Sequence, residues 1–405
     1  MSRIILHIDM NSYFASVEQQ ANPFLRGKPL GITGKHQERS VIAAASIEAK
    51  KLGVKTAMST WEAKRICPSL ILYPGDPEKY SYITSQFNSI FSEYTNYVEQ
   101  FSIDECFLDL SKTVADYLEA IVLAQTIRER IKKTCGEKIT CSIGIAPNKL
   151  IAKLCSEQVK PNGITTVCKQ NVLKFLDTCK LRDLCGIGNR IENRLGSLGI
   201  NTFDQLRKFP LEKLVNEFNS YGYWLHESAH GLNDSPVINT REEPKSIGHS
   251  YTLSENTEDK NEMKNCLLGL SDRVAWRLRN EGFVARCVHV IIRYSDFTTM
   301  AQQQTFTEPT SNGLMLFKIA WQIIEKWLDV SKPVRLLGLS ASTLSKGNEY
   351  QSLFKKERKV RSLQKSLDKI QNRYGSDAWT RASLIGVHFK KRSSGFHSPN
   401  SPSTM

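Results

Sequence analysis

Apolar and polar positions recur with two different periods along the chain, which predicts a mixture of strands and helices. The run "RIILHID" is short and apolar and ends on Asp9, as expected of a buried strand. A helix is predicted over residues 80–97, followed by two strand-like runs, "VEQFSI" and "CFLDLS". Apolar residues then recur at helical spacing over 120–131 and alternate over 139–145 as in a half-buried strand. This order predicts a split βαβ unit with an antiparallel sheet.

The same order of elements returns in the C-terminal half of the chain. "PKSIGHSYTL", "ARCVHVIIRY", "MAQQQTFTE" and "VRLLGLSAST" are strand-like, and helices are predicted over 263–278 and 317–327. Between the two units, residues 167–233 have a helical pattern, and "NDSPVINTREEPKS" is typical of a polar linker. The last stretch, "SSGFHSPNSPSTM", has few apolar residues and is predicted to be disordered.

Composition narrows the class of protein. The chain has 405 residues, 40% of them hydrophobic, which suits a globular protein of about two to four domains. Its net charge of +14 favours a polyanionic partner, either nucleic acid or an anionic membrane surface. No apolar run approaches the roughly 20 residues that span a bilayer, and the N-terminus lacks a signal peptide's apolar core. We therefore expect a cytoplasmic protein that does not enter a membrane.

The ten cysteines include no C-x-x-C pair and mostly lie in apolar surroundings. This pattern is typical of reduced core thiols and argues against a disulfide framework or a cysteine-based metal site.

Two adjacent acids, Asp104 and Glu105, separate the runs "VEQFSI" and "CFLDLS". Neighbours in a strand point to opposite faces, so both could serve one site only at the tip of a hairpin. Asp9 ends the first strand, and the first and third strands of a split βαβ unit are adjacent. Two carboxylates about 4 Å apart repel by roughly 4 kcal/mol, so three converging acids call for a cation such as Mg²⁺ or Mn²⁺. Solvated loop acids are the alternative.

The segment "LCGIGNRIENRLGSLGI" predicts a tight turn that leads into a helix. Gly186 and Gly188 would leave backbone N–H groups free for a phosphate, with Arg190 and Arg194 adding positive charge. This is similar to a helix-hairpin-helix module, which binds the nucleic-acid backbone. An ordinary turn between two helices is the alternative.

A third motif, "HESAH", indicates a different class of enzyme. His226 and His230 with the glutamate between them match the H-E-x-x-H pattern of zinc peptidases. Such a site needs a third ligand, and the remaining candidates, Glu242, Glu243 and His249, are separated from the motif by the predicted linker.

Several motifs in order resemble the Y-family DNA polymerases, nearest to the bacterial polymerase IV group: "HIDMNSYFASVEQ", "GVKTAM", "SIDECFLDLS", "SIGIAPNKLIAKLCSEQVKPNG" and the G-I-G turn. The resemblance covers about residues 3–345. It implies an α+β right-hand polymerase that performs translesion synthesis, and the chain contains no separate proofreading nuclease motif. The implied domains are a palm (1–10 and 76–166), small fingers (11–75), a helical thumb (167–233), a linker (234–241), an α+β little finger (242–345) and a C-terminal tail (346–405).

The resemblance also implies the catalytic residues. Asp9, Asp104 and Glu105 match the carboxylates that hold two Mg²⁺ ions, for which Mn²⁺ can substitute. The Met10 carbonyl would help to hold the ion bound to the nucleotide, and Glu105 would lie nearest the ion on the primer side. The 3′ hydroxyl of the primer would then attack the α-phosphate of a dNTP and release pyrophosphate.

Further residues match the family's nucleotide contacts. Phe14, next to Tyr13, falls at the steric gate, where an aromatic ring collides with a ribose 2′-hydroxyl. A core aromatic residue is the alternative for this position. Lys160, in "VKPNG", matches a lysine that contacts the triphosphate as a point charge.

Four positions depart from the family pattern. Ala44, Ile47 and Lys50 stand where the family usually has a hydroxyl residue, a tyrosine and an arginine near the triphosphate. Two hydrogen-bond donors are lost and a bidentate guanidinium becomes a single ammonium. Asn11 stands where many relatives have a third aspartate. These departures leave open a polymerase V-like branch, or a DNA-binding protein with weak or no polymerase activity.

Near the C-terminus, "NEYQSLFKK" resembles the peptide by which bacterial polymerases bind the sliding clamp. The apolar pair Leu353 and Phe354 is preceded by Tyr350 at the usual glutamine position, with Gln351 one residue later. The expected partners are therefore primer-template DNA, dNTPs and a sliding clamp, and we expect the protein to be a monomer.

Overall fold

The computed structural model describes residues 3–34, 40–239, 243–329, 331–347, 355–375 and 378–385, without the side chains of 355–357. The chain divides into two compact units, Met1–Arg241 and Glu242–Lys391. Among the described residues, no helix is long and apolar enough to cross a lipid bilayer.

Both units combine strands and helices. The strands are β1 (Ile5–Met10), β2 (Leu30–Thr33), β3 (Ala44–Ala45), β4 (Ile71–Pro74), β5 (Val98–Gln100), β6 (Glu105–Asp109), β7 (Cys141–Ala146), β8 (Ile164–Thr166), β9 (Ser246–Thr257), β10 (Phe283–Tyr294), β11 (Thr299–Thr310) and β12 (Val334–Lys346). The helices are α1 (Tyr13–Ala21), α2 (Ile47–Lys51), α3 (Thr60–Ile66), α4 (Pro77–Ser92), α5 (Tyr117–Cys135), α6 (Lys149–Gln158), α7 (Val172–Leu176), α8 (Asn189–Ser197), α9 (Phe203–Lys208), α10 (Leu211–Phe218), α11 (Ser220–Ala229), α12 (Lys260–Asn280), α13 (Gly313–Trp327) and α14 (Lys355–Tyr374).

The first unit is built on a five-stranded sheet with the order β5-β6-β1-β7-β8. β1 lies at the centre, antiparallel to both β6 and β7. The first and third strands of the predicted split βαβ unit are therefore neighbours, and this prediction is confirmed. β8 pairs in parallel with β7, and the sequence pattern did not predict it.

Helices cover both faces of this sheet. Leu6 and Ile8 of β1 pack with α4 and α5 in one core cluster, whereas Ile5 packs with α6 in another. β7 is consequently buried along its whole length, and the prediction of a half-buried strand was wrong. Because side chains alternate along a strand, Asp9 lies on the same face as Ile5 and is directed towards α6.

Two smaller groups of elements complete the first unit. The sheet β3-β2-β4 packs with the short helices α2 and α3 around a separate apolar cluster. Helices α7 to α11 share the core cluster of α6 and follow β8 in sequence. The segment after α11 is described as far as residue 239, where the Asn239 side chain donates to the Asn96 carbonyl at 2.8 Å.

The second unit is a four-stranded antiparallel sheet, β11-β10-β12-β9, with α12 and α13 packed against it. This is the second α+β unit that the sequence predicted. α14 was not predicted, and it is fixed to α12 by a pair of hydrogen bonds from Arg279 to Asp368, both 2.7 Å long.

Candidate active site

Asp9 and Glu105 lie opposite each other on neighbouring strands. They pair in the antiparallel register of β1 and β6, and the Met10 N–H donates to the Asp104 carbonyl at 3.0 Å. Residues 101–104 form the turn between β5 and β6. Asp104 ends that turn and Glu105 begins the strand, so the prediction that both acids occupy the hairpin tip was wrong for Glu105.

Helix α6 and the residues after it supply the charges that face these acids. Lys153 Nζ donates to Glu105 at 2.6 Å. Lys160 Nζ donates to Asp9 at 2.9 Å and to Glu157 at 2.6 Å. Lys160 was predicted as a site residue, whereas Lys153 and Glu157 were not. Lys153 and Glu157 lie four residues apart on one side of α6, and Lys160 follows the end of that helix at Gln158. The helical spacing alone does not show that this side faces the acids.

Three of the acids form a set that could hold a cation. One carboxylate oxygen from each of Asp9, Glu105 and Glu157 lies within 4.8 Å of the others. Clustered hard oxygen donors of this kind fit a divalent cation. Asp104 is outside this set among the described residues, and its carboxylate accepts a hydrogen bond from Ser102 Oγ at 2.5 Å.

Burial changes the protonation of the acids. Removal from water raises the pKa of Glu105 to about 7, with the Lys153 ion pair opposing the rise and Asp9 adding to it. Burial also raises the pKa of Asp104, and the Ser102 hydrogen bond opposes that change. A nearby positive charge would therefore stabilise the ionised form of both acids.

His7 precedes Asp9 by two residues on the same face of β1, and its side chain is neutral. Burial, followed by the charges of Lys153 and Lys160, lowers its pKa well below the usual value. Its Nδ1 is 2.7 Å from Ser156 Oγ, and its Nε2 is 3.9 Å from Glu105. His7 thus orients α6 against β1 without adding charge to the site.

A cavity of about 530 Å³ opens beside Asp9 and Asp104. Lys50 of α2 and Lys160, which are far apart in the sequence, both line this cavity. The cavity therefore combines acidic and basic side chains. Burial and the charge of Lys160 lower the pKa of Lys50. The lining residues are Asp9, Met10, Asn11, Ser12, Tyr13, Ala43, Ala44, Ala45, Ile47, Lys50, Lys51, Thr56, Asp104, Lys160 and Pro161.

The two aromatic residues after Ser12 differ in their surroundings. Tyr13 is buried and its hydroxyl donates to the Tyr80 carbonyl at 2.7 Å. Phe14 is half-buried and stacks on the Tyr80 ring, with the centroids 4.3 Å apart and the planes 12° from parallel. Tyr80 therefore fixes the position of both residues.

Asn11 is bonded to the protein itself. Its Nδ2 donates to Ser142 Oγ at 3.0 Å, and its Oδ1 accepts from Thr140 Oγ1 at 3.1 Å and from the Asn162 N–H at 2.8 Å. The amide both donates and accepts, so it joins β1 to β7 and to the loop that carries Lys160.

The G-I-G turn precedes α8 as predicted. Gly186 has a φ of 115°, and its carbonyl accepts from the Tyr221 hydroxyl at 2.6 Å. Buried Ile187 anchors the turn, and Arg190 is exposed in the first turn of α8. Arg194 does not add free charge as expected, because it is paired with Glu217.

The "HESAH" motif forms no metal site in the described part of the chain. The rings of His226 and His230 have centroids 4.5 Å apart, and His230 Nδ1 lies 2.8 Å from the His226 carbonyl. No third ligand joins them among the described residues. Glu243 is paired with Lys346, and Glu242 lies outside the described residues. The peptidase hypothesis is not favoured.

The predicted clamp peptide cannot be placed. Tyr350, Gln351, Leu353 and Phe354 lie outside the residues that the structure describes.

Three family models match the chain in order. Residues 8–157 match the impB/mucB/samB family, residues 182–233 the thumb domain of DNA polymerase-iota, and residues 244–353 the C-terminal domain of the impB/mucB/samB family.

Full-length relatives are similar along almost the whole chain. DNA polymerase IV of Pelotomaculum thermopropionicum is 35% identical over 93% of this chain and 94% of its own. DNA polymerase IV of Desulfatibacillum aliphaticivorans is 37% identical over 94% and 97%. DNA polymerase IV 1 of Bacillus subtilis is 35% identical over 97% and 95%. A solved Y-family DNA polymerase chimera of Dbh and Dpo4 matches with a TM-score of 0.76 and 26% identity, over 85% of this chain and all of that one.

Proposed function

The chain belongs to the impB/mucB/samB family, the Y-family DNA polymerases, and we propose that the cavity beside Asp9 is the active site of its translesion synthesis. It is a DNA-directed DNA polymerase, a nucleotidyltransferase that uses a DNA template and dNTPs. The observation that supports the placement is the pairing of Asp9 with Glu105, because Asp9 also lines the cavity together with Lys50 and Lys160.

Polymerases of this family depend on metal ions, and the acids at the site fit that requirement. Asp9, Asp104, Glu105 and the Met10 carbonyl would hold two Mg²⁺ ions, with Mn²⁺ able to substitute. When bound, the ions stabilise charge on the attacking and leaving oxygens of the phosphoryl transfer.

The residues around the cavity would position the substrates. Lys160 and Lys50 lie where two ammonium groups can attract a triphosphate, and Tyr13 contributes to the cavity wall. Phe14 would lie under the sugar of the incoming nucleotide, held there by Tyr80. The primer 3′ oxygen bonds to the α-phosphorus, its proton passes to solvent water, and the bond between the α-phosphorus and the pyrophosphate oxygen breaks, which releases pyrophosphate.

Two interactions outside the cavity and the oligomeric state complete the proposal. The turn at Gly186 and Gly188, with Arg190 behind it, would bind a DNA backbone through N–H groups and charge. The peptide containing Leu353 and Phe354 would bind a sliding clamp. The polymerase would act as a monomer.

Single-nucleotide incorporation on a primed template tests this placement. Asp9→Asn should lower kcat about 100-fold or more, because the acid acts where charge develops. Glu93→Gln is the matched control, since Glu93 is an exposed acid of the same unit that pairs with Arg130. Equal activity of Asp9→Asn and wild type would place the active site elsewhere.

A further inference from the structure

Helix α14 lies beyond the part of the chain that the family's C-terminal domain model matches. That match ends at residue 353, and α14 spans Lys355–Tyr374. The helix belongs to the second unit and has no role in the cavity described above.

Bidentate ion pairs fix α14 and the segment after it to α12. Arg279 donates two hydrogen bonds to Asp368, both 2.7 Å long. Arg381 donates to Asp272 at 2.6 and 2.8 Å. These four side chains are mostly buried. The two bidentate ion pairs therefore hold the helix in one orientation, which an exposed surface pair would not do.

A second contact fixes the rotation of α14 about its axis. Trp276 Nε1 donates to Asn372 Oδ1 at 3.0 Å, and Gln371 is buried. Asp368, Gln371 and Asn372 recur at i, i+3 and i+4, so this face of the helix is directed towards α12.

A basic stripe formed by Lys365, Lys369 and Arg373 flanks the face of the helix that is directed towards α12. All three are exposed and recur every four residues, which spaces them about 6 Å apart along the helix. From Arg358 to Tyr374 the sequence has six lysines and arginines and a single acid, Asp368. Because Asp368 is directed inward and paired with Arg279, the stripe is left without acidic residues.

We propose that the basic stripe of α14 binds the sugar-phosphate backbone of the DNA that the polymerase holds. The proposal rests on the proposed function, which brings a polyanion to the chain. Duplex DNA carries one negative charge per about 1.7 Å of its axis, so a stripe about 12 Å long meets several phosphates. Ile370, three residues before Arg373, borders the stripe as an exposed apolar side chain, and exposed Leu363, two residues before Lys365, lies on another side of the helix from that lysine. A protein partner is the competing occupant.

The test measures how tightly the full chain binds a labelled primer-template between 50 and 200 mM salt, using fluorescence anisotropy without dNTP. The stripe variant combines Lys365→Gln, Lys369→Gln and Arg373→Gln. Its plot of log affinity against log salt should be shallower by about 2 to 3, because each lost phosphate contact contributes about 0.9. Affinity near 100 mM salt should fall at least about tenfold.

A matched control removes the same amount of charge from another surface. Lys132, Lys133 and Lys138 are exposed residues at and beyond the end of α5, outside the cavity lining. Their triple change to Gln should leave the DNA affinity within about twofold of wild type. Equal losses in the two triple variants would attribute the effect to net charge and overturn the proposal.

Two further readouts complete the design. Hydrogen exchange of wild type should slow across residues 359–374 when DNA is added. A stripe variant that binds DNA as wild type does would overturn the proposal and leave Leu363 and Ile370 as part of a protein-binding surface. Primer extension at saturating DNA separates the two claims: the stripe variant should keep its kcat, whereas no extension even by wild type would count against the proposed function alone.

Discussion

At the scale of single residues, the acids of the site depend on neighbouring cations. Glu105 is paired with Lys153, and Asp9 with Lys160. The antiparallel register places both acids on the face that α6 covers, and burial there raises the pKa of Glu105. A site of this kind has a strong electrostatic affinity for cations.

The raised pKa of Glu105 predicts pH-dependent cation binding. Its pKa of about 7 means that the carboxylate is mostly protonated at pH 6 and mostly ionised at pH 8. Only the ionised form is a good ligand, so Mn²⁺ should bind about tenfold more tightly at pH 8. Calorimetric titration without nucleotide measures this, and Glu105→Gln should remove most of the difference. Equal affinity at both pH values in wild type would contradict the role given to Glu105.

Phe14 predicts selection against ribonucleotides. Phe14→Ala should raise the ratio of ribonucleotide to deoxyribonucleotide incorporation by about tenfold or more, because a ring fixed by Tyr80 no longer excludes the 2′-hydroxyl. Competitive incorporation on one template gives the ratio. Phe24→Ala, which alters an exposed aromatic residue, is the control and should leave the ratio unchanged.

The sequence located some of these residues and missed others for a physical reason. Asp9 and Glu105 interrupt apolar runs, so their unusual positions are visible in the pattern, and the structure places them together. Lys153 and Glu157 lie on an ordinary amphipathic helix, where charged residues normally face solvent. Only the packing of α6 on the sheet directs them to the acids.

At the scale of elements, β3 and α2 bring three departures from the family pattern to the cavity. Ala44, Ile47 and Lys50 are all among its lining residues. None of them offers the bidentate donors of an arginine or the hydroxyl of a tyrosine.

Restoring those donors should improve nucleotide binding. A double variant, Ile47→Tyr with Lys50→Arg, should lower the KM for dNTPs about tenfold, since one charge-assisted hydrogen bond contributes about 1.5–3 kcal/mol. Steady-state kinetics on a primed template measures the change. Lys64→Arg on α3 makes the same chemical change at an exposed position and should have no effect. An unchanged KM in the double variant would mean that α2 does not contact the triphosphate.

The turn before α8 depends on Gly186 far more than on Gly188. A Cβ on Gly186 would lie 2.6 Å from the Trp224 ring, at a φ of 115° that other residues rarely adopt. Gly186→Ala should therefore destabilise the helices around the turn by about 1–3 kcal/mol and weaken DNA binding. Gly188 has nothing within 4 Å, so Gly188→Ala should cost less than about 1 kcal/mol. Denaturant unfolding compares the two, and equal losses would contradict this account of the turn.

Patterns predicted the type and order of the main elements better than their bounds. The alternation over 139–145 could not show that helices pack on both faces of β7. β8 has only three residues and gives no periodic signal, whereas Val360, Leu363, Leu367 and Ile370 of α14 recur at helical spacing and were missed. For β7 and β8, packing against other segments decides the structure. The sequence of one segment alone does not show that packing.

At the scale of the whole molecule, charge and architecture agree. A net charge of +14 suits a protein that holds DNA by its backbone. The sheet β3-β2-β4 and its two short helices make a small group of elements beside the cavity. We propose that so small a group would enclose a nascent base pair only in part, and that tolerance of damaged templates follows from this limited enclosure.

Primer extension past an abasic template position tests the central claim most directly. Wild type with dNTPs and Mg²⁺ should insert a nucleotide opposite the lesion and extend beyond it, and Glu105→Gln should reduce insertion about 100-fold or more. A wild-type protein that binds the primed template tightly yet adds no nucleotide, opposite the lesion or on an intact template, would contradict the account.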